Sequence, residues 1–230
     1  MMKQLSLVIL SALGAATVVP ASANAQSLTP ESYADRVESY NVGDALVTHN
    51  NSSAALGANN WTSDMVGANG WKSNIGVSLG KGGSIALEFT DNYLTGDGNV
   101  NSSDLWIFEI GKVPEDLLVD ISIDGDAWYR VGLADKQDYR NDSGIGIDID
   151  GLLNTHADLS LETMFSFVRL TDNGTNKYTN GKSGADIDAV AALSSVSKAD
   201  VVDVPEPGMA VALGAIAFGA FVKRKQQRLH

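Results

Sequence analysis

The sequence predicts an all-β chain, a β-sandwich or jelly roll, set between two short processing segments. Eight short runs are alternating or continuously apolar and rich in β-branched residues. Gly, Asn and Asp fill the gaps between them, and prolines are scarce, with five in 230 residues. No stretch of the middle sustains helical periodicity. Strand-length runs bounded by turn residues are the pattern of two packed antiparallel sheets.

In chain order, a short helix is expected around Pro30 to Val37. The strand-length runs are Ile75 to Leu79, Ser84 to Phe89, Leu105 to Ile110, Leu117 to Ile123, Ala127 to Val131, Ile145 to Ile149, Phe165 to Leu170 and Ile187 to Leu193. Leu152 to Thr163 reads as a loop or a helical turn. The clearest local element runs from Val119 to Val131, where two alternating strands flank Asp124-Gly125. That dipeptide is a hairpin signal, because glycine tolerates the positive φ of tight turns. Asp120 and Ser122 alternate with Val119, Ile121 and Ile123, so one face is expected wet and the other buried.

The two ends read as addresses. Lys3 precedes the apolar stretch Leu5 to Val19, then Pro20 and Ala21-Ser22-Ala23-Asn24-Ala25. A positive start, an apolar middle and a small-x-small end describe a secretory signal peptide, with cleavage after Ala25. Residues 1–25 are then a leader and 26–203 the mature domain. Residues 204–230 carry Pro205-Glu206-Pro207, the apolar run Met209 to Val222, and a basic cluster from Lys223 to Arg228. The run is short for a bilayer, which asks for about 20 residues. The basic cluster belongs on the cytoplasmic side.

From Pro205 to the C-terminus the chain resembles the PEP-CTERM sorting signal: the Pro205-Glu206-Pro207 motif, a small-residue-rich apolar helix and terminal basic residues. The resemblance implies recognition and removal of the tail by an exosortase, a membrane protease-transpeptidase. It also implies transient anchoring in the inner membrane, then a place at the cell surface or in an exopolysaccharide or biofilm matrix. An ordinary C-terminal anchor is the alternative. The middle also resembles cyanobacterial PEP-CTERM surface proteins, at Ser78 to Ser84, Phe89 to Asn92, Asp104 to Glu109, Val168 to Asp172 and Gly184 to Val190. The strand, Asp-Gly, Trp, strand phrase at Asp124 to Trp128 is similar to galactose-binding-like and discoidin-like jelly rolls. Neither resemblance brings catalytic residues.

Composition narrows the partners. Net charge is −12 over the chain, and the segment between Gln26 and Pro205 alone carries about −16. Such a surface repels phosphate backbones, so no nucleic-acid partner is expected. The chain has no cysteine, which excludes disulfides and thiolate metal sites. An exported domain of this kind is held by its core, and bound cations can add to that.

Oxygen ligands are plentiful. Asp91, Asn92, Asp97, Asn99, Asn101 and Asp104 crowd one strand connection, and Asp172, Asp186 and Asp188 edge two later strands. Carboxylates on flexible loops suit calcium, which takes six to eight oxygens; a solvated rim of Asx turns is the other reading. The metal candidates are therefore Asp91, Asp97, Asp104, Asp172, Asp186 and Asp188, with Ca2+ the expected ion. Asp97 to Asp104 also resembles the second half of a dockerin or EF-hand loop. Tyr93 would stand at its first ligand position, where a carboxylate is needed, and Leu105 to Ile110 reads as a strand rather than an exiting helix.

Catalytic footholds are few. His49, His156 and His230 have no partners at metal-ligand spacing, and there is no nucleophile elbow or phosphate-binding loop. Glu88, Glu109 and Glu162 would need to face one another to act on a glycosidic bond. Of the tryptophans, Trp106 and Trp128 fall in strands and are expected in the core. Trp61 and Trp71 fall in Asn- and Gly-rich sequence and are the candidate sugar platform. The leading expectation is a non-enzymatic structural or binding module, calcium-stabilised and associated with extracellular polysaccharide. A secreted glycan hydrolase and a self-assembling coat protein are the competing expectations.

Overall fold

The computed structural model describes residues 27–44, 49–62, 75–111, 114–138, 144–175 and 184–201. The leader with Ala25, the sorting motif Pro205, Glu206 and Pro207 with its apolar run, and Trp71 lie outside the described residues. Among the described residues, no helix is long and apolar enough to cross a membrane.

The described residues are all-β, with antiparallel sheets and little helix. The strands are β1 (Arg36–Asn41), β2 (Val77–Ser78), β3 (Ser84–Glu88), β4 (Asn92–Leu94), β5 (Leu105–Glu109), β6 (Leu117–Ser122), β7 (Trp128–Ala134), β8 (Ile145–Ile147), β9 (Phe167–Asp172), β10 (Asp186–Ala192) and β11 (Ser195–Ser197). One helical turn, α1 (Asp150–Leu153), follows β8. Five strands form one sheet in the order β1-β3-β9-β6-β7, and four form a second in the order β2-β10-β5-β8. β11 and β4 make a short ribbon.

One core joins the two sheets. Ile85 and Leu87 of β3, Val119 and Ile121 of β6, and Val168 and Leu170 of β9 belong to the same buried cluster as Leu105 and Ile107 of β5, Ile145 of β8, and Ile187 and Val190 of β10. In β3, β5, β6 and β9 these are period-2 positions, so alternation carries the apolar face inward; in β10 a bulge between Ile187 and Ala189 lets Ile187 and Val190, three residues apart, join the same core. Full burial of such side chains is worth about 1.5–3 kcal/mol each. Phe89, Leu94 and Phe165 are fully buried, and a bridge between Leu94 and Phe165 closes this end of the sandwich.

All eight anticipated strands form, within a few residues of their expected bounds. Three others, β1, β4 and β11, were not anticipated. β1 is an edge strand with an almost wholly exposed pattern, and the other two are three residues long. The expected helix at Pro30 to Val37 is corrected: only a 3-10 turn, Pro30–Ser32, forms before β1 begins. The Ala34 N–H instead donates to the Val190 carbonyl, which draws the chain onto the four-stranded sheet.

The β6–β7 hairpin forms around Gly125 at φ 85. Its wet face is also corrected. Asp120 and Ser122 are buried, at 3% and 0% exposure, while Ile123 is exposed. The arginines of the neighbouring strands lie over Asp120, a pairing that alternation along one strand does not encode.

Candidate metal centre

The connection from β4 to β5 is coiled by its own side chains. Asp97 Oδ1 accepts from the Asn99 N–H at 2.7 Å, and Asn99 Oδ1 accepts from the Asn101 N–H at 3.2 Å. The Ser102 hydroxyl donates to Asp97 Oδ2. Successive Asx turns of this kind need short polar side chains, which is why the stretch is rich in Asp and Asn. Gly98, at φ 78, takes the left-handed position between them.

Asp104 closes that loop and ties it to two others. Its Oδ1 accepts from the Asp97 N–H and its Oδ2 from the Ile149 N–H, both at 3.0 Å. Its backbone carbonyl accepts from Leu193 and Ser194, after β10. Asp150, one residue beyond Ile149, opens α1. Asp148 Oδ1 accepts from the Asp150 N–H at 2.8 Å, which fixes the turn. Asp104 and Asp150 are each 0% exposed.

Asp97, Asp104 and Asp150 each bring one carboxylate oxygen within 4.8 Å of the others. Neither Asp150 oxygen meets a donor at hydrogen-bonding geometry, although both are buried. Among the described residues, no ion pair involves any of the three. The electrostatics follow. Burial pushes the Asp104 carboxyl up to about 7, against the Ile149 N–H, and the charges of Asp150, Asp97 and Asp148 add to the rise. Burial likewise raises Asp150, with Asp148 and Asp97 adding to it and the Gly98 N–H opposing it.

A buried carboxylate costs several kcal/mol unless paired or neutralised. Three together need protons or a cation. Hard oxygen donors at this spacing fit calcium, whose ligands stand 2.3–2.6 Å from the ion and so up to about 5 Å from one another across it. The donor set therefore fits a divalent ion. With Asp104 and Asp150 sealed from solvent, such an ion would pin loops rather than meet a substrate.

The remaining sequence candidates do not gather here. Asp91 is exposed on the turn before β4, with its carboxyl raised by burial and by Asp35. Asp172, at the end of β9 away from the Leu94–Phe165 bridge, accepts from the Gly82, Gly174 and Ala185 N–H groups at 2.9, 2.9 and 3.0 Å. Asp186 pairs across to Ser78, and burial pushes it up to about 6. Asp188, at a bulge in β10, is 2% exposed; its Oδ2 accepts from Asn60 and Trp61, while burial pushes it up to about 6. Asp172 and Asp188 thus anchor backbone. Asp150 was not singled out in the sequence; the Asp148-Ile149-Asp150-Gly151 phrase at a strand end is the signal that marks it.

The tryptophan expectations also change. Trp61 is corrected as a platform: it is 6% exposed and packs with Ile75 and Ile110. Asp188 draws its backbone inward through the bonds to Asn60 and Trp61. Trp106 and Trp128 are corrected as core residues, since both are part-exposed. Trp106 stacks on Phe108, and Trp128 lies beneath Arg169. The three glutamates lie apart: Glu88 in β3 pairs with Arg36, Glu109 is buried in β5, and Glu162 is exposed before β9.

No family model matches the chain, and no curated protein matches it. Among solved structures, the chain is similar to CpGH89CBM32-6 produced by Clostridium perfringens, at 19% identity and a TM-score of 0.32. That similarity covers 65% of this chain and 90% of the other.

Proposed function

We propose that this protein is an exported, non-enzymatic structural or binding module of the cell surface or extracellular matrix, with one end of its sandwich held by calcium. The observation that carries the reading is the triad Asp97, Asp104 and Asp150, the last two buried, with neither Asp150 oxygen meeting a donor at full hydrogen-bonding geometry. A divalent ion there joins the β4–β5 loop, the start of α1 and, through Asp104, the segment after β10. Extracellular calcium modules bind at roughly 0.1–1 mM, a concentration range met outside the cell. Export and exosortase sorting rest on the leader ending at Ala25 and on the Pro205-Glu206-Pro207 tail. The galactose-binding-like form of the sandwich is supported by the Asp124-Gly125 hairpin leading into Trp128.

A thermal melt of the full chain in mild detergent, with excess calcium and then with chelator, tests the reading. A site held at about 100 times its dissociation constant adds about 2.7 kcal/mol, several degrees for a domain this size. Equal midpoints in the two solutions sink the calcium reading. Recovery of mature protein still carrying Lys223 to His230 would sink the sorting reading.

A further inference from the structure

The outer face of the five-stranded sheet carries an arrangement that the cation centre does not use. Asp120 stands opposite Arg130 of β7 on one side and Arg169 of β9 on the other. Arg130 donates from Nε to Asp120 Oδ1 and from Nη2 to Oδ2. Arg169 donates from Nε and Nη2 to Oδ2, at 3.3 and 3.1 Å. The Arg169 guanidinium also lies 4.2 Å over the Trp128 ring. One carboxylate and one ring therefore hold two guanidinium groups in fixed orientation.

Two features go beyond an ordinary surface ion pair. First, the charge does not balance: two cations meet one carboxylate that is only 4% exposed, while their own side chains are 49% and 33% exposed. A guanidinium has five N–H donors. Among the described residues, the Nη1 groups of neither arginine meet an acceptor. The hairpin carboxylate Asp124 is engaged by the Asp126 and Ala127 N–H groups. Second, Trp128 lies two residues before Arg130 in β7 and is part-exposed, with the Arg169 guanidinium against its ring.

We propose that this face binds an acidic saccharide, whose carboxylate or sulfate takes the outward N–H groups of Arg130 and Arg169 while its ring lies against Trp128. Planar guanidinium groups match carboxylate and sulfate oxygens in pairs. The net negative charge of the chain does not forbid this. At physiological ionic strength the Debye length is about 8 Å, so the anion meets chiefly the local pair. The inference deepens the polysaccharide part of the proposed function and does not depend on the calcium part.

The test is a tryptophan-fluorescence titration of the full chain in mild detergent and EDTA, well below its melting midpoint. The ligands are an oligogalacturonate, a neutral galactan oligosaccharide of equal length, and an oligothymidylate. The expected result is at least about tenfold tighter binding of the oligogalacturonate than of either control, lost about tenfold by Arg130→Gln. Arg130→Lys, which keeps the charge without the fork, also weakens binding. Glu38→Gln, in β1 at the opposite edge of the sheet, leaves it unchanged. Equal binding of the neutral sugar or the oligonucleotide, no binding of any ligand, or indifference to Arg130→Gln in a normally folded variant overturns the proposal. Running the titration in EDTA separates its failure from failure of the calcium site.

Discussion

The Cα of Gly96 lies against the Asp150 carboxylate so closely that a Cβ there would stand 2.2 Å from Oδ1 and 2.5 Å from a Leu153 methyl. Glycine is needed at position 96 for space rather than for φ. Gly96→Ala is therefore expected to push α1 off the β4–β5 loop and to weaken both packing and cation binding. A loss of about 1–3 kcal/mol, the usual cost of overpacking, should appear in a chelator melt. The calcium-induced rise should shrink as well. An unchanged midpoint and an unchanged calcium response would show that the contact is slack.

Asp150→Asn separates the cost of the triad from its use. The amide keeps the shape of the carboxylate and removes one of three crowded charges. In chelator the variant is expected to melt higher than the parent, by about 2–4 °C per kcal/mol recovered. In calcium it should gain little, because a ligand charge is gone. A variant that kept the full calcium rise would place the ion elsewhere.

A second pair of buried carboxyls gives a pH dependence with a definite sign. Burial and the neighbouring carboxylates Asp186, Asp172 and Asp116 push Glu115 up to about 8, against the opposing charge of Lys136; Glu109 beside it rises as well, chiefly through burial. A carboxyl raised in the fold contributes stability below its ordinary value, near 4.5 for Glu. That contribution is lost as pH rises through the folded value. The chelated protein should therefore be more stable at pH 5.5 than at pH 8.5, and Glu115→Gln should flatten the slope. Calcium reverses the trend at its own site: Asp104, at about 7, must lose its proton to bind. The calcium-induced rise should be larger at pH 8 than at pH 5.5. Melts across that range, with and without chelator, check both signs.

Asp172 should matter whether or not calcium is present. It accepts three backbone N–H groups from the segments around Gly82, Gly174 and Ala185. Asp172→Ala leaves those donors unmatched, at an expected cost of about 2–4 kcal/mol. Equal destabilisation in calcium and in chelator would identify Asp172 as a backbone anchor. A loss confined to calcium would return it to the metal set.

Much of the fold was legible because its signals are local. Alternation from Ser84 to Glu88 or from Leu117 to Ile121 tells which face is buried within a single strand, and Asp124-Gly125 marks its own turn. β1, with its polar edge pattern, gives no such signal and took its place only by pairing with β3. Two of the three triad residues were legible too, since Asp97 and Asp104 share one loop.

The sequence by itself determined an all-β chain, the strand-length segments, an acidic surface without thiols, and the loop that holds Asp97 and Asp104. Tertiary structure alone decided which carboxylates meet. Pairing of Leu105 with Ile147 sets β8 beside β5, and so brings Ile149 to Asp104 across 45 residues and Asp150 into the triad. It also laid Arg169 over Asp120, 49 residues away, burying a carboxylate on a face expected to be wet beneath a part-exposed guanidinium. Alternation records which side of a strand is apolar. Which strand lies beside it, and which charges meet across the gap, is set only when the sheets close on their common core.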